Sequence, residues 1–310
     1  MDKTEIVGNG MKILNFGSLN LDYIYQVEHF VQPGETLAAR KQKMAPGGKG
    51  LNQSVALAKA GAEVFHAGCI GIGGEMLQTL LEEQGVHTEY LRKVDELQGN
   101  AIIQVDSAGE NCIILYGGSN RMITKEQIDE TLKHFSAKDW LVLQNEVSNL
   151  GYMIERAAEK GMKVVLNPSP FEAFLEELDY NQITWLMINE VEARQLTGKT
   201  EADAVWNTLH KKYPGPCLIM TMGADGAYCF TPQGTIYQEA FPVKTADTTA
   251  AGDTFTGYFL QGMTKGLPLK KCMKQAAMAS AICVSREGAA VSIPMQAEVE
   301  SSWHRWKQEN

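Results

Sequence analysis

Two periods of apolar and polar residues divide this chain. Short apolar runs at residues 12–16, 64–69, 140–143, 163–166, 185–188 and 217–220 have the length and composition of buried strands. Between them the spacing turns helical. Leu51, Val55, Ala58 and Ala62 share one face, with Gly61 placed as a C-terminal cap, and residues 75–84 read as the next helix. Strands alternating with helices predict an α/β fold with a mostly parallel central sheet covered on both faces. Residues 99–116 break this rhythm. Two strands, 101–105 and 112–116, flank the turn residues 106–111 as a hairpin. Ala101, Ile103 and Val105 share one of its faces, which fits either a small sheet covering a pocket or a strand pair lying on the core.

Polar residues close the strands. Gln144-Asn145-Glu146, Asn167-Pro168-Ser169, Asn189-Glu190-Val191-Glu192 and Thr221-Met222-Gly223-Ala224-Asp225-Gly226 each follow an apolar run, at the strand ends where open α/β sheets bind ligands. One such cluster is a routine loop; four in succession predict a binding edge. Asn20 and Asp22, just beyond the first strand, can face one ligand together or form an ordinary Asx turn. The glycine-rich run Ala45-Pro46-Gly47-Gly48-Lys49-Gly50 is not a Walker A loop, because Lys43 and Gly50 stand where that motif needs glycine and Ser or Thr. The helix after it is expected to point Lys49 and Asn52 outward, as hydroxyl-binding donors or as a solvated lysine on a flexible loop. Gly71-Ile72-Gly73-Gly74 lacks the third glycine of a dinucleotide fingerprint, with Met76 in its place.

The most specific stretch is Asp247-Thr248-Thr249-Ala250-Ala251-Gly252-Asp253-Thr254-Phe255-Thr256-Gly257. It reads as a loop entering a helix whose apolar face carries Phe255, Tyr258, Phe259 and Met263. Ala250, Ala251 and Gly252 present little side chain, so an anion can approach the backbone N–H groups of the first turn. Asp253 beside that turn has two readings: a helix N-cap, or a base that takes a proton from a hydroxyl attacking a bound phosphoryl group. The N-cap explains the helix start but not the small residues before it. A later helix rich in small residues (Ala276, Ala277, Ala279, Ser280, Ala281, Cys283) allows either a flat ring to lie against it or close packing on the sheet.

Composition narrows the classes. The chain has 310 residues, room for one large α/β domain or a domain with an added subdomain, and a net charge of −9 that disfavours nucleic acid and acidic membranes as partners. No apolar run approaches a membrane span and the polar N-terminus is no signal peptide, so a cytoplasmic protein is expected, with residues 1–11 as a tail. Six cysteines in apolar surroundings, without C-x-x-C, read as free buried thiols.

Gly47-Gly48-Lys49-Gly50-Leu51-Asn52 together with Asp247-Thr248-Thr249-Ala250-Ala251-Gly252-Asp253 resembles the ribokinase-like (PfkB) carbohydrate kinases, over about residues 13–294. The resemblance implies a single three-layer domain over 1–310, with a small β-sheet lid from about 18–46 and 99–117, that phosphorylates a primary hydroxyl of a sugar with ATP. It implies sugar contacts from Asn20, Asp22, Gly48, Lys49, Asn52 and Glu146, with Asp253 as base and Ala250, Ala251 and Gly252 as the anion turn. Nucleotide contacts would come from Asn189, Thr221, Gly223 and Gly226, and Glu192 would reach Mg2+ through water. Asp247, Thr249, Cys283, Arg286, Gly288 and Ser292 would hold K+, several through backbone carbonyls. A homodimer whose lids cover each other's sugar sites is implied as well. Two positions depart from the family pattern: the acidic stretch usual before Gly74-Glu75 is missing, and Tyr258 replaces a small residue. Rival readings are a kinase of another sugar or a nucleoside, and a non-catalytic sugar or nucleotide sensor.

Overall fold

A computed structural model describes residues 10–309. Most of the tail expected over residues 1–11 therefore lies outside the described residues. The chain runs β1 (Ile13–Phe16), β2 (Asn20–Gln26), β3 (Lys41–Gly47), α1 (Lys49–Lys59), β4 (Val64–Ile72), α2 (Glu75–Glu83), β5 (His87–Leu97), β6 (Asn100–Val105) and β7 (Asn111–Tyr116). It continues through α3 (Lys125–Leu132), β8 (Trp140–Gln144), α4 (Leu150–Glu159), β9 (Lys163–Asn167), β10 (Trp185–Asn189), α5 (Glu190–Thr197), α6 (Ala202–Lys212) and β11 (Cys217–Thr221). The last elements are β12 (Ala227–Thr231), β13 (Gly234–Gln238), α7 (Ala251–Thr264), α8 (Leu269–Val284) and α9 (Gln296–Glu309).

Nine strands form the central sheet in the order β13-β12-β11-β10-β9-β8-β1-β4-β5. From β5 to β11 all neighbours are parallel, and β12 and β13 close one edge as an antiparallel hairpin. Because side chains alternate along a strand, each strand feeds two cores. Ile13, Val142, Val165, Met187 and Ile219 pack with α1, α2, α7 and α8 on one face. Leu14, Leu143, Leu166, Ile188 and Met220 pack with α3, α4, α5 and α6 on the other. The two-sided burial expected from continuous apolar runs is thus observed.

The small-residue helix α8 owes its composition to packing: Ala276 and Ala279 are fully buried against the core. Tyr258 is also fully buried, and its hydroxyl donates to the Pro294 carbonyl at 2.7 Å, which satisfies the one polar atom the larger side chain brings in. α1 and α7 cross closely at Gly257, where an added Cβ would stand 2.5 Å from the Ala56 Cβ.

A second sheet, β3-β2-β6-β7, stands over the C-terminal ends of the parallel strands. It joins the predicted hairpin to β2 and β3, both of which precede α1, with β2 pairing parallel with β6. Ala101 aligns with Asp22 and with Leu115, so the face expected from alternation is the face that carries Asp22. On the opposite face Ile102, Ile114 and Tyr116 are exposed. The cysteine burial expected for all six holds for Cys69, Cys229, Cys272 and Cys283, whereas Cys217 is half-buried and Cys112, on β7, is exposed.

Candidate active site

The first turn of α7 is the centre of the site. Ala250 occupies the N-cap position in the left-handed region (φ 61°) and gives the helix no side-chain cap. Asp253 is therefore the third helical residue, not the cap, and the N-cap reading of it is overturned. Its carboxylate is buried and held from α1: Gln53 Nε2 donates to Oδ1 at 2.9 Å and Asn52 Nδ2 to Oδ2 at 3.2 Å. The outward orientation expected for Asn52 is likewise corrected, since it is only 5% exposed and faces Asp253. Its Oδ1 is buried and has no hydrogen-bond partner among the described residues.

Beside Asp253 lies a cavity of about 220 Å³ lined by Ala250, Ala251, Gly252 and Asp253, by Asn189, Glu192 and Thr221, and by Lys49. A Cβ on Gly252 would meet nothing within 4 Å, so this residue opens the turn to a ligand. The Ala251 N–H is already donated to the Thr248 carbonyl at 3.2 Å, while no hydrogen bond forms at the N–H of Ala250, Gly252 or Asp253 among the described residues. The three-residue anion turn thus narrows: Ala251 contributes smallness, and the open amides belong to its neighbours. Lys49, expected among the sugar contacts, lines this phosphate-sized cavity. Burial works against its ammonium, yet Asp253, Glu146 and Glu192 together hold its pKa above the usual lysine value.

Register explains how the second wall forms. Asn189 and Thr221 are Cα partners at the ends of the adjacent parallel strands β10 and β11, so both reach the same edge. Asn189 also caps α5, accepting from the Val191 and Glu192 N–H groups, and Glu192 Oε2 accepts the Asn189 N–H at 2.8 Å in return. That capping box fixes Glu192 on the cavity wall. Gly223 and Gly226 sit in the turn after β11, outside the cavity lining.

On the other side of Asp253 stand the lid residues. Asp22 on β2 lies directly over Gly47, whose missing Cβ leaves the space: a Cβ there would be 2.0 Å from Asp22 Oδ2. Burial, with Glu146 nearby, raises the Asp22 carboxyl to about 7. Asn20 is buried and its Oδ1 accepts from Asn120 Nδ2 at 2.7 Å. Glu146 accepts from Ser18 Oγ and from the Lys49 N–H; burial raises its pKa, and Lys49 and these donors oppose the shift.

Sequence reasoning missed the layer beneath. Gln144 Nε2 bridges Gln53 Oε1 (2.7 Å) and Asn15 Oδ1 (3.0 Å), and Asn15 Nδ2 donates to Ser54 Oγ at 2.8 Å. Burial lowers His66 to about 4, so its ring is neutral. Its Nε2 must donate to the Gly17 carbonyl, which leaves Nδ1 to accept from Ser54 Oγ. A signal existed: Asn52-Gln53-Ser54 is a polar triplet that circles a helix otherwise apolar, and at least one of its members had to be buried.

Near the start of the same loop, Asp247 accepts from the Thr249 N–H (2.9 Å), Thr249 Oγ1 (2.6 Å) and the Gly288 N–H (3.0 Å). Burial opposes the charge, but these bonds outweigh it and keep the Asp247 pKa below the usual value. Cys283 Sγ lies 3.7 Å from the Thr249 carbonyl and 3.0 Å from Ser292 Oγ. The Arg286 guanidinium instead pairs with Glu298 at 2.6 Å.

A family model described as pfkB family carbohydrate kinase matches residues 11–296. The chain belongs to this family of carbohydrate kinases. It is 34% identical to the ribokinase of Haemophilus influenzae over 91% of this chain and 95% of that one. The crystal structure of ribokinase from Cryptococcus neoformans in complex with ADP superposes with a TM-score of 0.83 at 33% identity, over 94% of this chain and 99% of that one. The ribokinase of Arabidopsis thaliana complexed with ribose and ATP superposes with a TM-score of 0.84 at 29% identity, over 94% and 98%. The chain is thus an alcohol-group phosphotransferase by family, with the ribokinase-like fold and its separate small sheet.

Proposed function

We propose that this protein is a cytoplasmic kinase that transfers the γ-phosphoryl group of ATP to the primary hydroxyl of D-ribose. The observation that carries the reading is the place of Asp253, a buried carboxylate between the lid residues and the cavity at the α7 N-terminus. In this reading Asn20, Asp22, Gly48, Asn52 and Glu146 hold the sugar hydroxyls. Asn189, Thr221, Gly223 and Gly226 contact the nucleotide. Asp253 takes the proton of the primary hydroxyl as its oxygen bonds to the γ-phosphorus, while the bond from phosphorus to the bridging oxygen breaks and ADP leaves. The open Ala250 and Gly252 amides of the Ala250–Gly252 turn, kept accessible by the small Ala251, and the Lys49 ammonium stabilise charge on the transferred group.

Mg2+ would be reached through water from Glu192, whose Oε1 is not used by the capping box; bound, the ion neutralises phosphate charge. Asp247, Thr249, Cys283, Gly288 and Ser292 would hold K+, several through backbone carbonyls; the bonds that tie Asp247 to Thr249 and Gly288, and Cys283 to Ser292, support this reading. Arg286 could add only its carbonyl, its guanidinium being paired. The exposed apolar outer face of the lid supports a homodimer.

A coupled ADP-release screen over pentoses, 2-deoxyribose, hexoses and nucleosides, with Mg2+ and K+ present, tests the reading. Ribose is expected to give the highest kcat/KM. A different best substrate overturns the sugar assignment, and no ADP release with any acceptor favours the sensor.

A further inference from the structure

At the end of the α7 and α8 pair remote from Asp253, α9 closes a second cavity, of about 790 Å³. Its size is that of a site for a small organic ligand. Leu267, Met278, Val299 and Trp303 make its walls apolar. Among the described residues four cations surround these walls, Lys265, Lys270, Lys271 and Lys274, against one lining carboxylate, Glu300. In a chain of net charge −9 this is a local reversal of sign. The Lys274 Nζ stands 3.7 Å from the Trp303 ring centroid, which holds a cation against the aromatic wall.

Two further features point to a ligand. α8 starts here from Pro268, which supplies no side-chain cap, and its first turn holds no acidic residue, so the positive end of a sixteen-residue helix faces the lysines. Gln261, 1% exposed, lines the cavity; its Oε1 accepts from Gln275 Nε2 at 3.1 Å, and its Nε2 has no partner among the described residues. Gln296 Oε1, also lining the cavity, is a buried acceptor without a partner. Orphaned buried amide groups are costly unless something arrives to meet them.

We propose that this cavity is a second ligand site, separate from the sugar and ATP sites, for a small aromatic anion. The ring lies against the apolar walls, the phosphate or carboxylate meets the lysines and the α8 N-terminus, and an accepting ring substituent takes the Gln261 Nε2–H. The inference does not depend on the kinase reading, and its test needs no turnover.

The probe is 4-nitrophenyl phosphate, titrated calorimetrically into the full chain, with inorganic phosphate (no ring) and nitrobenzene (no charge) as comparators. The probe is expected to bind at least about tenfold tighter than either comparator. Binding should weaken at least about tenfold in Lys270→Gln/Lys271→Gln, a surface pair whose change leaves the core untouched, and should persist in Lys49→Gln, which alters the catalytic cavity. Absence of binding up to about 1 mM, equal affinity for inorganic phosphate or nitrobenzene, indifference to the double substitution, or loss in Lys49→Gln would each overturn the proposal.

Discussion

Asparagine at position 253 separates chemistry from structure. The two carboxylate oxygens of Asp253 accept from two amide donors, Gln53 Nε2 and Asn52 Nδ2, on consecutive residues of α1. Asparagine keeps the shape but offers one acceptor, so its own NH2 must face one of those donors. One hydrogen bond is lost and a buried donor is left unpaired, a cost of about 1–3 kcal/mol and a fall of several degrees in Tm. The loss of a general base is larger: about 10²–10⁴-fold in kcat, or about 3–5.5 kcal/mol. The second change Gln53→Glu supplies an acceptor for the new NH2. The double variant should regain much of the Tm and none of the kcat. Coupled ADP-release kinetics and thermal unfolding on the same preparations read both quantities. Turnover close to that of the unaltered protein in folded Asp253→Asn would refute the assignment of the base, and recovery of kcat in the double variant would show that Asp253 acts by shape alone.

Other outcomes follow from the same geometry. Because Asp22 is raised from 3.8 to about 7 in the folded protein, its stabilising contribution is complete below the unfolded value and lost as pH rises through about 7. Asp22→Asn should therefore raise the Tm of the ligand-free protein more at pH 8 than at pH 5; an equal change in calorimetry at both pH values contradicts the burial argument. Replacing K+ by tetramethylammonium should lower kcat by loosening the loop from Asp247 to Ala250, and unchanged kinetics would leave the cation without a role. Ile114 is 60% exposed on the outer lid face, so Ile114→Asp should convert a dimer seen in sedimentation to a monomer and raise the sugar KM; a monomer before substitution refutes the lid pairing.

Much of this architecture is legible in the residues. The apolar runs of the parallel strands are continuous because both faces are buried, and the polar residues closing β10 and β11 meet at one edge because parallel strands in register end together. What escaped had weaker local signals. β5 alternates between exposed and half-buried positions at the sheet edge, and β13 is short and mostly exposed, so neither carries a continuous apolar run. The role of Gln53 depends on a helix crossing that brings residues 200 positions apart together, which no local pattern encodes. The N-cap reading of Asp253 failed because Ala250 takes the left-handed conformation usually left to glycine or asparagine, moving the helix start three residues earlier.

The crossing at Gly257 has a consequence for how such a site can change over generations. α1 carries Asn52 and Gln53, α7 carries Asp253, and a bare Cα sets their separation where Gly257 meets Ala56. One methyl at 257 would push the two helices apart and lengthen both amide-to-carboxylate bonds together, whatever sugar is bound. Substrate preference can therefore drift at the lid, residue by residue, while the spacing of the two helices at the base is inherited as a unit: even without the Ala56 methyl, a Cβ at 257 would stand 2.8 Å from the Ala56 carbonyl carbon and the Leu57 nitrogen, so position 257 stays bare whatever stands at 56.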